Sequence, residues 1–330
     1  MIKIDKKRLI ELQNNFKNKK IAVIGDMMLD SYFWGDIKRI SPEAPVPVLE
    51  VENEFYRFGG AANVALNIQK LNGIPLPIGV IGNDNHGTIF SSLLKNAGIS
   101  KDGIIVDDKR PTTTKTRVIA DSHHFVRIDQ ESKEYLNTKV EKDILNLFKS
   151  KINELDAIIL QDYNKGVLTT SLIEKIISIA NKKNILITVD PKFNNFFSYK
   201  NVSVFKPNRK EAEDVLGLKI KNEKDMLIVG KKLLNKLKAK NILLTLGEEG
   251  IAIFQKDKLL NRIPTKARKV SDVSGAGDTV ISTLTMALTA GANILEASYL
   301  ANYAAGIVCG EVGIVPIEIK KLFNTIRNDK

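Results

Sequence analysis

The sequence predicts an α/β protein built on a mostly parallel sheet with helices on both faces. Three observations carry this. Apolar runs of strand length recur along the chain, and amphipathic stretches of helical period lie between them. Two further segments alternate with period two and break that rhythm. Strands apolar at successive positions are buried on both faces, and crossover helices do the burying.

The elements follow in order. Residues 21–24 read as the first buried strand. Residues 31–58 carry aromatic and alternating residues with Pro42, Pro45 and Pro47, so they read as short antiparallel strands. Residues 62–68 form a small-residue helix opened by Gly59-Gly60-Ala61. Residues 112–129 alternate again, through Thr114, Thr116 and Val118 and then Phe125, Val126 and Ile128. Later strands are read at 157–160, 185–189, 202–205 and 242–246. Helices are read at 138–148, 171–180 and 224–237, and the chain closes with helices at 275–290 and 294–309. No linker, repeat or low-complexity tract divides it, so a single domain over 1–330 is expected, with the two alternating segments inserted in it.

Composition narrows the class. At 330 residues, with 43% hydrophobic and 27% charged, the chain can bury a large core as an ordinary soluble protein. No apolar run reaches the roughly 18–20 residues of a membrane span. Residues 1–20 are charged, unlike a secretory signal. The single cysteine, Cys309, excludes an internal disulfide and a cysteine zinc cluster, and the cytoplasm is the expected compartment. The net charge of +12 comes from lysines scattered over the sequence, with no nucleic-acid reader motif beside them. A basic field of this kind helps to collect phosphorylated substrates.

The stretch Asp272-Val273-Ser274-Gly275-Ala276-Gly277-Asp278-Thr279 is the most informative. Small residues at a helix start let backbone N–H groups converge on an anion, where the helix dipole also favours negative charge. Asp278 at the mouth of that nest is the candidate base for a hydroxyl attacking a phosphoryl group, with Gly275, Ala276 and Gly277 around the anion. A Gly-rich turn with an Asp helix cap has the same pattern. Upstream, Gly59 and Gly60 allow close approach of a ligand, and Asn63 offers a donor and an acceptor for sugar hydroxyls.

Together the two glycine motifs resemble the signatures of the PfkB (ribokinase-like) carbohydrate kinases, with Val273 where that family usually has Thr. The resemblance implies a three-layer α/β/α sandwich, a mostly parallel central sheet and a small inserted β-sheet lid over residues of about 31–58 and 112–129. It implies ATP and magnesium, with a monovalent cation as a further candidate. Asn208 and Glu211 match the family's Asn-x-x-Glu motif, Glu211 serving magnesium through water; the same residues also spell a helix capping box. Thr245, Gly247 and Gly250 fall in the loop that meets the nucleotide, and Asn302 falls on the helix lining the adenine. On the acceptor side, Asp30 matches the sugar-hydroxyl ligand, Asp26 reads as structural, and Asp162 with Lys165, and Asp190 with Lys192, follow strand ends.

Gly35-Asp36-Ile37-Lys38-Arg39-Ile40-Ser41-Pro42-Glu43-Ala44-Pro45-Val46-Pro47-Val48 is similar to the lid of bacterial D-glycero-β-D-manno-heptose 7-phosphate kinases. The implied reaction phosphorylates the anomeric 1-hydroxyl, on the way to ADP-heptose and lipopolysaccharide core. A phosphorylated substrate needs a cationic clamp, for which Arg127, Lys165, Lys192 and Arg117 are the candidates. None of His86, His123 and His124 lies in the His-x-Gly-His motif of a nucleotidyltransferase, so that activity is expected on another polypeptide. A homodimer through the lid is expected, with Tyr32, Phe33 and Trp34 at its contact. Another PfkB kinase acting on fructose, ribose, a sugar phosphate or a nucleoside is the alternative, and a catalytically silent sugar sensor is a third reading.

Overall fold

A computed structural model describes residues 4–120, 123–256, 258–266, 272–311 and 313–329. Helix α1 (Lys6–Asn15) starts at Asp5, whose carboxylate accepts from Arg8 N–H at 2.8 Å. Strand β1 (Lys20–Gly25) then runs through the middle of the body. Its side chains alternate between two cores: Ile21 and Val23 pack on one face of the sheet, Ala22 and Ile24 on the other. This is why an unbroken apolar run reads as a parallel strand.

After the single residue Asp26 the chain leaves this sheet for a second one. Strands β2 (Met27–Ile40) and β3 (Pro47–Gly59) form a long antiparallel pair. Helix α2 (Gly60–Lys70), β4 (Ile74–Gly82), α3 (Asn85–Ala97) and β5 (Ile104–Asp107) return to the body. Strands β6 (Thr114–Ala120) and β7 (His123–Gln130) rejoin the small sheet, whose order is β3-β2-β6-β7. This is the expected lid sheet, and its first strand starts a few residues earlier than the alternation suggests.

The second half runs α4 (Thr138–Lys151), β8 (Ala157–Gln161), α5 (Thr170–Lys182), β9 (Leu186–Asp190), β10 (Val204–Phe205), α6 (Arg209–Leu216), α7 (Glu223–Leu237) and β11 (Asn241–Thr245). An antiparallel edge follows in β12 (Ile251–Gln255) and β13 (Lys258–Ile263), and then α8 (Ala276–Thr289), α9 (Ile294–Val308) and α10 (Ile319–Asn328). Among the described residues the main sheet has the order β13-β12-β11-β10-β9-β8-β1-β4-β5. Helices α1, α2, α3, α8, α9 and α10 pack on one face and α4, α5, α6 and α7 on the other. No helix among the described residues is long and apolar enough to cross a membrane.

Several strands depart from the sequence reading, and β5 and β13 have no counterpart in it. The strand expected at 202–205 is reduced to Val204–Phe205, although Ser203 N–H still donates to Ile187 O at 3.0 Å. Strand β4 has no counterpart there, because Pro75 and Pro77 argue against a central strand. Gly79 N–H donates across to Gly103 O, and the two prolines face the same flank where β5 has not yet begun. Their missing donors therefore cost no ladder bond.

The order of strands fixes where a ligand can bind. From β1 the chain builds outward to β4 and β5 on one side, and β8 to β11 fill the other. The carboxyl ends of β1 and β8 thus flank a topological switch point, where open α/β sheets leave a crevice.

Candidate active site

Asp26 and Gln161-Asp162-Tyr163 occupy that switch point. Asp26 is buried, and its Oδ2 accepts from Tyr163 N–H at 2.7 Å and Lys165 N–H at 3.2 Å, while Oδ1 accepts from Val167 N–H at 3.2 Å. One carboxylate therefore pins the whole loop after β8, which agrees with a structural reading of Asp26. Burial and the nearby Asp162 push its carboxyl up to about 6, against the pull of these three donors.

Helix α8 points its first turn at the same place. Its cap, Gly275, sits at φ 78°, a left-handed conformation that glycine adopts without a Cβ penalty. Ala276 N–H donates to Val273 O and Thr279 N–H to Gly275 O. Among the described residues the N–H groups of Gly275, Gly277 and Asp278 take no such partner, whereas Ala276 N–H is engaged. Asp278 is buried in this first turn, and its Oδ2 accepts from Asn63 Nδ2 at 2.8 Å. Its Oδ1 accepts from the Tyr163 hydroxyl at 2.7 Å and Gln161 Nε2 at 3.1 Å. Burial pushes the Asp278 carboxyl up to about 6; Asn63 and Tyr163 pull it down, Asp190 pushes it up and Lys206 pulls it down.

Beside it lies a buried ion pair, Lys206 Nζ to Asp190 Oδ2 at 3.0 Å, and Gln161 Nε2 also donates to Asp190 at 3.2 Å. Lys192 pairs with Glu211 and stands 5.5 Å over the Tyr163 ring. Burial works to lower the Lys192 ammonium, but Asp190 and Glu211 outweigh it and raise it. Glu211 completes the capping box with Asn208, each side chain meeting the other's backbone N–H at 2.8 Å. The structure shows the capping-box reading of that motif, with one Glu211 oxygen accepting from Asn208 N–H and the other paired with Lys192. Thr245 closes the end of β11 against Pro207 O, Gly247 starts a tight turn that ends at Gly250, and Asn302 Nδ2 donates to Pro264 O at 2.7 Å.

On the lid side, Asp30 is buried and ion-paired with Arg117. Gly59 is needed here for close approach: a Cβ at that position would stand 2.5 Å from Asp30 Oδ2. Gly60 opens α2 against Asp26, its Cβ position only 2.5 Å from Asp26 O.

Several expected ligands are otherwise engaged. Asn63 faces Asp278. Asp162 is turned inward, accepting from Asn164 N–H at 2.8 Å and the Tyr199 hydroxyl at 2.7 Å. Each clamp cation has a carboxylate: Lys165 meets Glu131 at 2.7 Å, Arg127 meets Asp129 at 2.8 Å, Lys192 meets Glu211, and Arg117 meets Asp30. Arg127 stands on the exposed strand β7, with 58% of its side chain accessible. Tyr32 is 6% exposed, stacked on Phe55 at 4.7 Å with Arg57 and Arg117 over its ring, and so is packed within the lid. The sequence reading passed over Tyr163, Gln161 and Lys206; their one sequence signal is adjacency to strand ends already singled out.

A switch-point crevice holding a buried carboxylate at a helix start, under a small β-sheet lid, defines a ribokinase-like α/β enzyme. The chain belongs to the pfkB family of carbohydrate kinases, whose family model matches residues 18–320. It is 45% identical over 295 residues to the "Bifunctional protein HldE" of Helicobacter pylori strain J99, covering 89% of this chain and 64% of that one. It is 39% identical over 319 residues to the protein of that name from Geobacter metallireducens, covering 96% and 65%. The chain thus spans less than two thirds of these relatives' length. Among solved structures, Arabidopsis thaliana ribokinase complexed with ribose and ATP superposes with a TM-score of 0.73 at 19% identity, covering 93% of this chain and 99% of that one. Escherichia coli phosphofructokinase-2 in complex with substrates and products gives 0.74 at 19% identity, covering 94% and 100%. At that identity the likeness is one of fold.

Proposed function

We propose that the chain transfers the γ-phosphoryl group of ATP to the anomeric 1-hydroxyl of D-glycero-β-D-manno-heptose 7-phosphate. The observation that carries the chemistry is the buried Asp278 carboxylate beside the open N–H groups of Gly275 and Gly277. Asp278 takes the hydroxyl proton as the sugar oxygen bonds to the γ-phosphorus; the bond to the β,γ-bridging oxygen breaks and ADP leaves. The helix start stabilises charge on the transferring group. The choice of sugar rests on the lid sequence over residues 35–48 and on similarity to the HldE proteins over most of the chain.

The donor set of one carboxylate, Glu211, and one amide, Asn208, suits magnesium held mainly by the nucleotide phosphates and water, where it neutralises their charge. Lys165, Lys192 and Arg117 bind the 7-phosphate by exchanging their carboxylate partners for it; Arg127 has the most exposed position of the four. Thr245, Gly247, Gly250 and Asn302 border the nucleotide. A second copy docks on the lid through Ile40, Val46, Val51, Phe125, Val126 and Ile128, each at least half exposed. Sedimentation of the chain as a monomer would remove that contact.

The test is ADP release with magnesium over a panel of heptose 7-phosphate, fructose 6-phosphate, fructose, ribose and adenosine. Preference for the heptose phosphate is expected. Preference for another acceptor overturns the specificity, and no turnover on any acceptor favours a sensing role.

A further inference from the structure

The capacity of the Asp278 carboxylate is unevenly divided. A carboxylate oxygen offers about two lone-pair sites. Oδ1 already accepts two hydrogen bonds, from the Tyr163 hydroxyl at 2.7 Å and Gln161 Nε2 at 3.1 Å. Oδ2 accepts one among the described residues, from Asn63 at 2.8 Å. We infer that Tyr163 and Gln161 are positioning residues that saturate Oδ1 and so make Oδ2 the atom that receives the proton of the acceptor hydroxyl. This rests on the proposed role of Asp278 as base.

Both residues are held firmly enough for that task. The backbone of Tyr163 is fixed by the buried Asp26, which accepts its N–H at 2.7 Å. The amide of Gln161 is sandwiched between two carboxylates, donating to Asp190 at 3.2 Å and to Asp278 at 3.1 Å. Turning it over would aim its oxygen at both acids, so only one orientation survives. Its own Oε1 is buried with no protein hydrogen-bond partner among the described residues. Lys206 pairs with Asp190 at 3.0 Å and offsets that acid's repulsion of the Asp278 carboxylate, so one amide can bridge the two. Tyr163 also keeps the base ionised, because a donor to a carboxylate favours its charged form.

The experiment is single-turnover phosphoryl transfer across pH, with the sugar phosphate panel's best acceptor, for the wild type, Tyr163→Phe and Asp278→Asn. Tyr163→Phe removes only the hydroxyl. The acid limb of its rate profile should move up by about one pH unit, with ATP and sugar affinities unchanged. An unmoved limb, with or without a uniform loss of rate, overturns the positioning role. Asp278→Asn separates the two ideas: if it loses the reaction while Tyr163→Phe leaves the limb in place, the base stands and this inference fails. If Asp278→Asn retains the rate, the base itself fails. Gln161→Met, matched in length, must shift the limb the same way and supplies the answer should Tyr163→Phe not fold.

Discussion

Asp278→Asn is the most telling change, because the structure sets both its chemical and its thermodynamic consequence. An amide cannot take the hydroxyl proton, and loss of a positioned base costs about 10²- to 10⁴-fold in rate. Its NH₂ must also face either Asn63 or the Tyr163–Gln161 pair, all of which donate hydrogen bonds to the carboxylate. Donor against donor costs about 1–3 kcal/mol. Opposing this, the carboxyl is raised from 3.8 to about 6, and that difference of roughly 2.2 units corresponds to about 3 kcal/mol. The sign follows from proton binding: the folded protein holds the proton more tightly, so the burden is full above about pH 6 and gone below about 3.8. The variant should therefore be as stable as the wild type or slightly more so at alkaline pH, and lose that advantage as the pH falls through this window. Single-turnover transfer, ATP titration calorimetry and urea unfolding at two pH values read the three quantities. Turnover within about tenfold of wild type would refute the base role, since general-base removal costs at least about a hundredfold. Loss of ATP binding in step with turnover would point to damage of the helix start instead.

Asp26→Ala leaves three backbone N–H groups of the loop after β8 without their acceptor. Set against the relief of a buried charge, a net loss of about 3 kcal/mol is expected, read as a lower urea midpoint; an unchanged midpoint would show that the loop holds itself. Gly59→Ala drives a methyl to 2.5 Å from Asp30 Oδ2, so the sugar KM should rise about tenfold while the ATP KM stays within about twofold. Equal effects on both would place Asp30 away from the sugar. Lys165→Ala should raise the sugar phosphate KM about tenfold, and Arg127→Ala by less than about threefold, because Arg127 is exposed and turned to Asp129. The reverse ranking, measured by steady-state kinetics, would move the clamp to β7.

The body of the fold was legible because burial on both faces leaves a plain mark: β1, β8 and β11 are apolar at successive positions. The lid was legible for the opposite reason, since its strands alternate. Strand β4 escaped because its prolines are tolerated only through the late start of β5, a fact of neighbouring strands that no local pattern records. The same division holds at the site. Asp278 announces itself through the glycines before it, whereas Tyr163 and Gln161 act through side-chain bonds to a residue far along the chain. Asp162 illustrates the limit. It stands at a strand end beside Tyr163, yet alternation turns its carboxylate toward Tyr199 and presents its neighbour instead.

The passage from β1 to β2 at Asp26 also makes the molecule modular. The chain passes between body and lid at four seams, before β2, after β3, before β6 and after β7, and main-chain bonds tie the first three: Asp26 O accepts from Ala61 N–H at 3.0 Å, Met27 bridges to Gly60, and Leu29 N–H donates to Thr113 O at 2.9 Å. Between these seams the small sheet carries its own pairing register and its own aromatic cluster. An exchange of lids between relatives then needs cuts near 26, 60, 113 and 131, and the new lid must also supply partners for Phe90 and Ile314 O in place of Phe58 and Arg57. Such chimaeras would inherit their phosphoryl chemistry from one parent and the lid's share of sugar recognition from the other, with Lys165 and Lys192 staying with the body.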